Sequence, residues 1–145
     1  MKKSFKFLYI VLLVTASSVF ANNNAVIGQW QTIDDVTGKP KSIINIYDQD
    51  GKIYGKITRL FRSAGEDQDP ICVKCTDERK NKKVIGMIVI KDLKKRGNQW
   101  SGGTILDPKN GKIYRCKIWL DEGKLRVRGY LGIFFRTQTW HKVKR

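Results

Sequence analysis

The sequence predicts an all-β protein, a single small antiparallel up-and-down barrel of about eight strands. Short segments rich in β-branched and aromatic residues recur from Gly28 to the end of the chain. Turn residues separate them at intervals near the roughly 8 to 12 residues typical of sandwiches and barrels. Within several of the segments, charged and apolar residues alternate with the period of two that a pleated strand imposes. No helical period of useful length competes with them.

The N-terminus is set aside before the strands are placed. Lys2, Lys3 and Lys6 precede an apolar run from Phe7 to Val14, and Val19-Phe20-Ala21 forms the exit. This is the pattern of a secretory signal peptide over residues 1–21. The uncharged stretch 7–21 is 15 residues long, short of the roughly 20 that a helix needs to cross a bilayer. No transmembrane span is therefore expected in the mature chain, whose location is periplasmic or secreted. Residues 22–145 then form one domain of 124 residues, enough for a single core.

Charge narrows the partners. Removing Lys2, Lys3 and Lys6 from 29 basic side chains leaves 26 against 13 acidic ones, a net charge of +13. Such an excess attracts polyanions at long range. An exported chain does not meet intracellular nucleic acid, so the expected partners are anionic lipid head groups, lipopolysaccharide, acidic glycans or a small anionic ligand. A merely solvated basic surface is the plainer alternative.

The eight strands are expected at residues 28–34, 42–47, 52–60, 84–93, 99–106, 113–120, 124–130 and 134–143. Asp48-Gln49-Asp50-Gly51, Lys94-Lys95-Arg96-Gly97-Asn98 and Asp121-Glu122-Gly123 are compact turns that end on or near a glycine able to take a positive φ. Residues 35–41, 61–83 and 107–112 are the longer connections. Alternate connections of a meander share one end, so the long loops occupy one rim and the three tight turns the other. A closed end and an open mouth follow, with binding residues expected on the loops. In the sixth strand Tyr114, Cys116, Ile118 and Leu120 point inward, and Arg115, Lys117 and Trp119 outward. The last strand carries polar residues on both faces, which leaves Arg136 without an assigned side.

The mouth gathers Asp34, Asp35, Lys39, Lys41 and Ser42 from one loop, Arg79 and Lys80 from another, Asp107 from a third, and Tyr114 and Tyr130 from the strand ends. A basic rim above an apolar interior suits an amphipathic ligand with an anionic head. Eight-stranded barrels are also commonly filled by their own side chains.

Signals for catalysis are sparse. Cys72 and Cys75 form a CxxC in the longest loop, readable as a loop-closing disulfide or as a redox pair. Cys116 faces inward as a small apolar residue. His141 lies near the closed end, away from the CxxC loop, which argues against a shared metal site. No GxSxG, HExxH or phosphate-cradling glycine loop is present. Asp34 and Asp35 begin on opposite faces, which disfavours a paired-carboxylate mechanism. Asp35-x-Thr37-Gly38 instead suggests an Asx-type turn with the Asp35 carboxylate bonding backbone N–H groups.

Gly28-x-Trp30 opening the first strand, with an arginine on the last, resembles the lipocalin and calycin pattern. That resemblance implies a clasp at the closed end in which Arg136 and Trp140 pack against Trp30. A wider resemblance runs through Gly28-Gln29-Trp30, Tyr54-Gly55-Lys56-Ile57, Cys72-x-x-Cys75, Ile85-Gly86-Met87, Ser101-Gly102-Gly103, Asp107-Pro108, Val127-Arg128-Gly129-Tyr130 and Arg136-Thr137-Gln138-Thr139-Trp140. These ordered blocks resemble the bacterial exported family catalogued as domain of unknown function 2147. It implies an envelope or secreted location and a small β-barrel, and no activity or cofactor. The expectation is an exported barrel that binds an amphipathic or anionic small ligand at its long-loop end. The alternatives are a basic envelope protein that associates with anionic lipid or glycan surfaces, and an enzyme using the CxxC loop or the aspartates. Oligomeric state is not set by these features.

Overall fold

A computed structural model describes residues 23–144, so the expected signal peptide at residues 1–21 lies outside the described residues. Eight strands follow in order: β1 (Gly28–Ile33), β2 (Pro40–Gln49), β3 (Lys52–Leu60), β4 (Ile88–Arg96), β5 (Gln99–Asp107), β6 (Lys112–Asp121), β7 (Lys124–Leu131) and β8 (Phe134–Lys142). They close in sequence order into an antiparallel barrel, the predicted fold class. No helix among the described residues is long and apolar enough to cross a membrane.

Alternation fills the interior. Trp30, Ile44, Ile46, Ile53, Ile57, Ile90, Leu93, Trp100, Leu106, Ile118, Leu125, Val127 and Trp140 are buried in one core cluster. Each such side chain contributes about 1.5–3 kcal/mol by leaving water. Two strands approach too closely for any side chain at Gly103, where a β-carbon would lie 2.0 Å from the Lys91 carbonyl oxygen.

The fourth strand starts later than expected, at Ile88 rather than Val84. Residues 84–87 form a turn instead, with Gly86 at a φ of 91° and Met87 N–H donating to the Val84 carbonyl. Ile57 and Gly86 then exchange with this turn: Ile57 N–H donates to Met87 O and Gly86 N–H to Ile57 O.

Residues 23–27 seal the closed end. The Trp30 indole donates to the Val26 carbonyl at 2.8 Å, and the Trp100 indole donates to the Asn23 side-chain oxygen at 2.7 Å. The Asn23 amide donates in turn to the Asp48 carboxylate and to Gly51 O. The indoles of Trp30 and Trp100 are thereby satisfied.

The expected clasp needs correction in one member. The cation over Trp30 is Lys142, 4.5 Å from the ring centroid, and it also donates to Ile27 O. Arg136 pairs with Gly129 in the half of β8 nearer the mouth and forms an ion pair with Asp35. The β1–β8 register, Trp30 opposite Lys142, decides which residue reaches the ring. Gly28, next to the Lys142 ammonium, has a φ of 124°, a conformation that L side chains rarely adopt, and this is what calls for glycine there. Trp140 is buried in the core.

The mouth is not the open end that turn parity suggested. Cys72, Cys75, Val84 and Met87 of the connection 61–87 join the core cluster. The CxxC segment packs so closely on the β5–β6 loop that a β-carbon on Gly111 would lie 1.9 Å from Lys74 O. The long loop is thus a lid built into the core.

Asn23→Ala should leave the Trp100 indole N–H buried without its acceptor, lowering stability by about 1–3 kcal/mol. Denaturant titration checks this, and the loss should shrink in a Trp100→Phe background.

Candidate functional site

The residues expected to share a mouth separate into small clusters, each with its own partners. In the β1–β2 loop, Asp34 rather than Asp35 makes the Asx turn. Its carboxylate accepts from Val36 N, Thr37 N and Thr37 Oγ1 at 2.8–3.0 Å. The bonds from Thr37, then that from Val36 and the charge of Lys41, outweigh desolvation and hold the carboxyl below its ordinary pKa. An irregularity of the β1–β2 register between Thr32 and Ile33 precedes this loop, and Asp35 turns the other way. Its carboxylate accepts from Gln138 Nε2 at 2.8 Å and pairs with Arg136. Each aspartate therefore has a structural partner set of its own. Lys39 and Lys41 are exposed, and Ser42 is buried with its hydroxyl 2.7 Å from that of Thr32.

Asp35 spans a short seam. β8 pairs with β1 only at Trp30↔Lys142 and Gln31↔His141, whereas it pairs with β7 along its length. Over the mouth half, side chains replace the backbone ladder.

The connection 61–87 holds two anchors. Cys72 and Cys75 form a disulfide, both sulfurs fully buried. Exchange-active cysteines sit partly exposed in electropositive surroundings, often at a helix N-terminus. Here the pair lies among turns, with Cys72 Sγ against Pro108 O at 3.5 Å. Cys116 is free and buried, and desolvation pushes its thiol up to about 12. His141 is exposed on β8. No cluster of metal-ligating side chains is found among the described residues.

Arg79 is the second anchor. Its guanidinium is buried, donates to both Asp77 oxygens and ties the loop to β4 through Nη1 to Ile88 O at 3.0 Å. Lys80 donates to Val73 O. Asp107 accepts from Lys109 N, and Tyr114 from Asn110 Nδ2. Arg79 is thus a structural cation, while Lys80, Asp107 and Tyr114 fasten their own loops.

Beside Arg79 lies a cleft of about 380 Å³ that includes Glu78, Lys82, Lys83, Ile85, Met87, Ile88 and Lys91. Ile85, Met87 and Ile88 give it an apolar floor. Lys83 pairs with Asp69 at 2.6 Å and Lys91 with Glu78, while Lys82 takes part in no ion pair among the described residues. Sequence reasoning missed this set, although Lys82-Lys83 directly precede the apolar run Val84-Ile85.

Tyr130 belongs to the outer wall. Arg115 and Lys117 lie 5.9 and 5.8 Å from its ring. Burial pushes its phenol pKa up, but hydrogen bonds from Lys117 and Arg128, together with their charges, outweigh that and leave it lowered. A shallow depression of about 350 Å³ beside it is lined by Ser101, Thr104, Arg115 and Lys117.

The Arg79–Asp77 pair predicts an acid-labile component of stability. Hydrogen bonds from Arg79 hold the Asp77 carboxyl down at about 2, against an ordinary 3.8. The folded state therefore binds this proton less tightly than the unfolded chain. The stabilisation is complete above about pH 4 and drains as pH falls toward about 2. Asp77→Asn should cost about 3 kcal/mol by leaving a buried guanidinium without its counter-ion and should make the pH 2–4 decline shallower. Equal stability and equal acid sensitivity in the variant would contradict this role.

No curated protein matches the chain. Among solved structures, protein HP1028 from the human pathogen Helicobacter pylori, described as belonging to the lipocalin family, is similar with a TM-score of 0.67. The two are 18% identical over 81% of this chain and 82% of that one, a likeness of fold. The family described as "uncharacterized protein conserved in bacteria" matches residues 28–142, from the glycine beneath Lys142 to Lys142 itself. The chain therefore belongs to that bacterial family, DUF2147.

Proposed function

We propose that the protein is an exported binding protein for a small amphipathic anion, held at the long-loop end in the cleft beside Arg79. One observation carries the reading: an apolar floor of Ile85, Met87 and Ile88 bordered by Lys82, Lys83 and Lys91. An acyl chain on that floor and a carboxylate or phosphate among the ammonium groups satisfy both halves of the surface. The cleft volume of about 380 Å³ lies in the roughly 300–1,000 Å³ range of small-molecule sites. The likeness of fold to a protein described as a lipocalin supports a small ligand without naming one. Export is supported by the lysine-led apolar run at the N-terminus.

The charge arrangement sets the strength of binding. Arg79, Lys83 and Lys91 already face carboxylates, so Lys82 is the spare cation. A ligand head group gains Lys91 only by displacing Glu78, whose side chain is mostly exposed. Such exchange of partners near the surface yields modest affinity.

Titration with dodecanoate, followed by calorimetry below its micelle concentration, tests the reading. Saturable one-to-one binding is expected, weakened at least about tenfold by Lys82→Glu and by Ile85→Asp (1.4 kcal/mol per tenfold). Absence of saturable binding, or equal affinity in both variants, would contradict it.

A further inference from the structure

A second surface lies on the other side of the barrel, where β7 and β8 meet. Leu131, Ile133, Phe134 and Phe135 are 52%, 89%, 75% and 59% exposed, all within one hairpin. The tip turns on Gly132, with φ of 60°. β6 pairs with β7 no further toward this tip than Arg115↔Tyr130, and β8 meets β1 only near the closed end. The apolar end of the hairpin therefore stands clear of both neighbouring strands.

Behind the tip, cations and aromatic rings interleave on the outer wall. Arg128 lies over Phe135 at 4.4 Å and over Trp119 at 5.1 Å. Lys117 lies over Trp119 and Tyr130, and Arg115 over Tyr130. Arg115, Lys117 and Arg128 take part in no ion pair with a carboxylate among the described residues. Long basic side chains lying along aromatic rings keep their charged heads available to an anionic partner while the rings present apolar faces.

We propose that the β7–β8 hairpin docks the protein on an anionic phospholipid bilayer, with Ile133 and Phe134 entering the interface and Arg115, Lys117 and Arg128 meeting the head groups. Exposed apolar tips inserted beside a basic belt gain from both the hydrophobic and the electrostatic term at an anionic interface. A second copy of the chain fits poorly. A two-fold contact through this face would bring like-charged arginines and lysines together. The dodecanoate cleft belongs to β4 and its preceding loop, so docking does not depend on the ligand reading.

The test compares proteins expressed from the full sequence on vesicles of phosphatidylglycerol and on vesicles of phosphatidylcholine alone. Ile133→Ser with Phe134→Ser should weaken association with the anionic vesicles at least about tenfold. Val73→Ser, at an exposed apolar residue of the connection 61–87, should leave it unchanged. To localise contact, Ile133→Cys carries an environment-sensitive fluorophore, which Cys116 escapes because it is buried. Its emission should shift to the blue only with phosphatidylglycerol, while the same label at Gln49→Cys, exposed at the opposite end of the barrel, should not shift. Unchanged binding by the double variant, or a label that shifts equally on neutral vesicles, would overturn the proposal. So would a native dimer that the double variant converts to monomer, which would assign the hairpin to self-association.

Discussion

Two of the three buried indole N–H groups, those of Trp30 and Trp100, must find acceptors at the closed end, and that requirement organises it. Trp30 and Trp100 are buried among side chains that offer none, so the segment before β1 supplies both: the Val26 carbonyl and the Asn23 side chain. An unmet indole would cost about as much as several surface ion pairs contribute. Once residues 23–26 are drawn under the barrel, Trp30 is pinned. Lys142 then covers its outer ring, and the register between first and last strands is set. Closure of the sheet is thus coupled to the seal beneath it.

The opposite end is sealed by different chemistry. A long connection crosses the mouth and lends Cys72, Cys75, Val84 and Met87 to the core, fastened by a disulfide and by the buried Arg79–Asp77 pair. Side chains fill the interior and a loop is seated over it, while the cleft beside Arg79 and the β7–β8 wall both lie on the outside. They differ in character. The cleft beside Arg79 sets an apolar floor among cations that are mostly already paired. The β7–β8 wall sets unpaired cations among exposed rings.

Strand order, most strand positions, the all-β class, the tight turns and the inward face of β6 were legible because they depend on local periodicity and on glycines able to take positive φ. The CxxC disulfide was legible as one of two alternatives. What escaped depended on register and on long-range placement. β8 carries Arg136 and Lys142 at positions of the same parity as Trp140, and only the pairing of Trp30 with Lys142 tells which one meets the ring. The turn parity that placed the long loops also puts the start of β8, and with it Arg136, at the mouth, away from Trp30; the Asp35 partner appears only in the folded chain. The one-residue exchange between Asp34 and Asp35 in the Asx turn follows an irregular β1–β2 register that alternation does not reveal. Residues 61–83 were read as a loop, and their contribution to the core had no periodic signature. The lysines and apolar residues of the cleft therefore remained scattered letters until the fold collected them.

The central claim is that this barrel binds on its outside and keeps its interior for its own side chains. Methyl and amide chemical shifts recorded during addition of dodecanoate test it most directly. The account predicts changes at Ile85, Met87, Ile88 and the Lys82 amide, with the interior methyl groups of Ile44, Ile118 and Val127 unmoved. Progressive shifts of those three interior residues, with the cleft residues silent, would show a ligand inside the barrel and contradict the account.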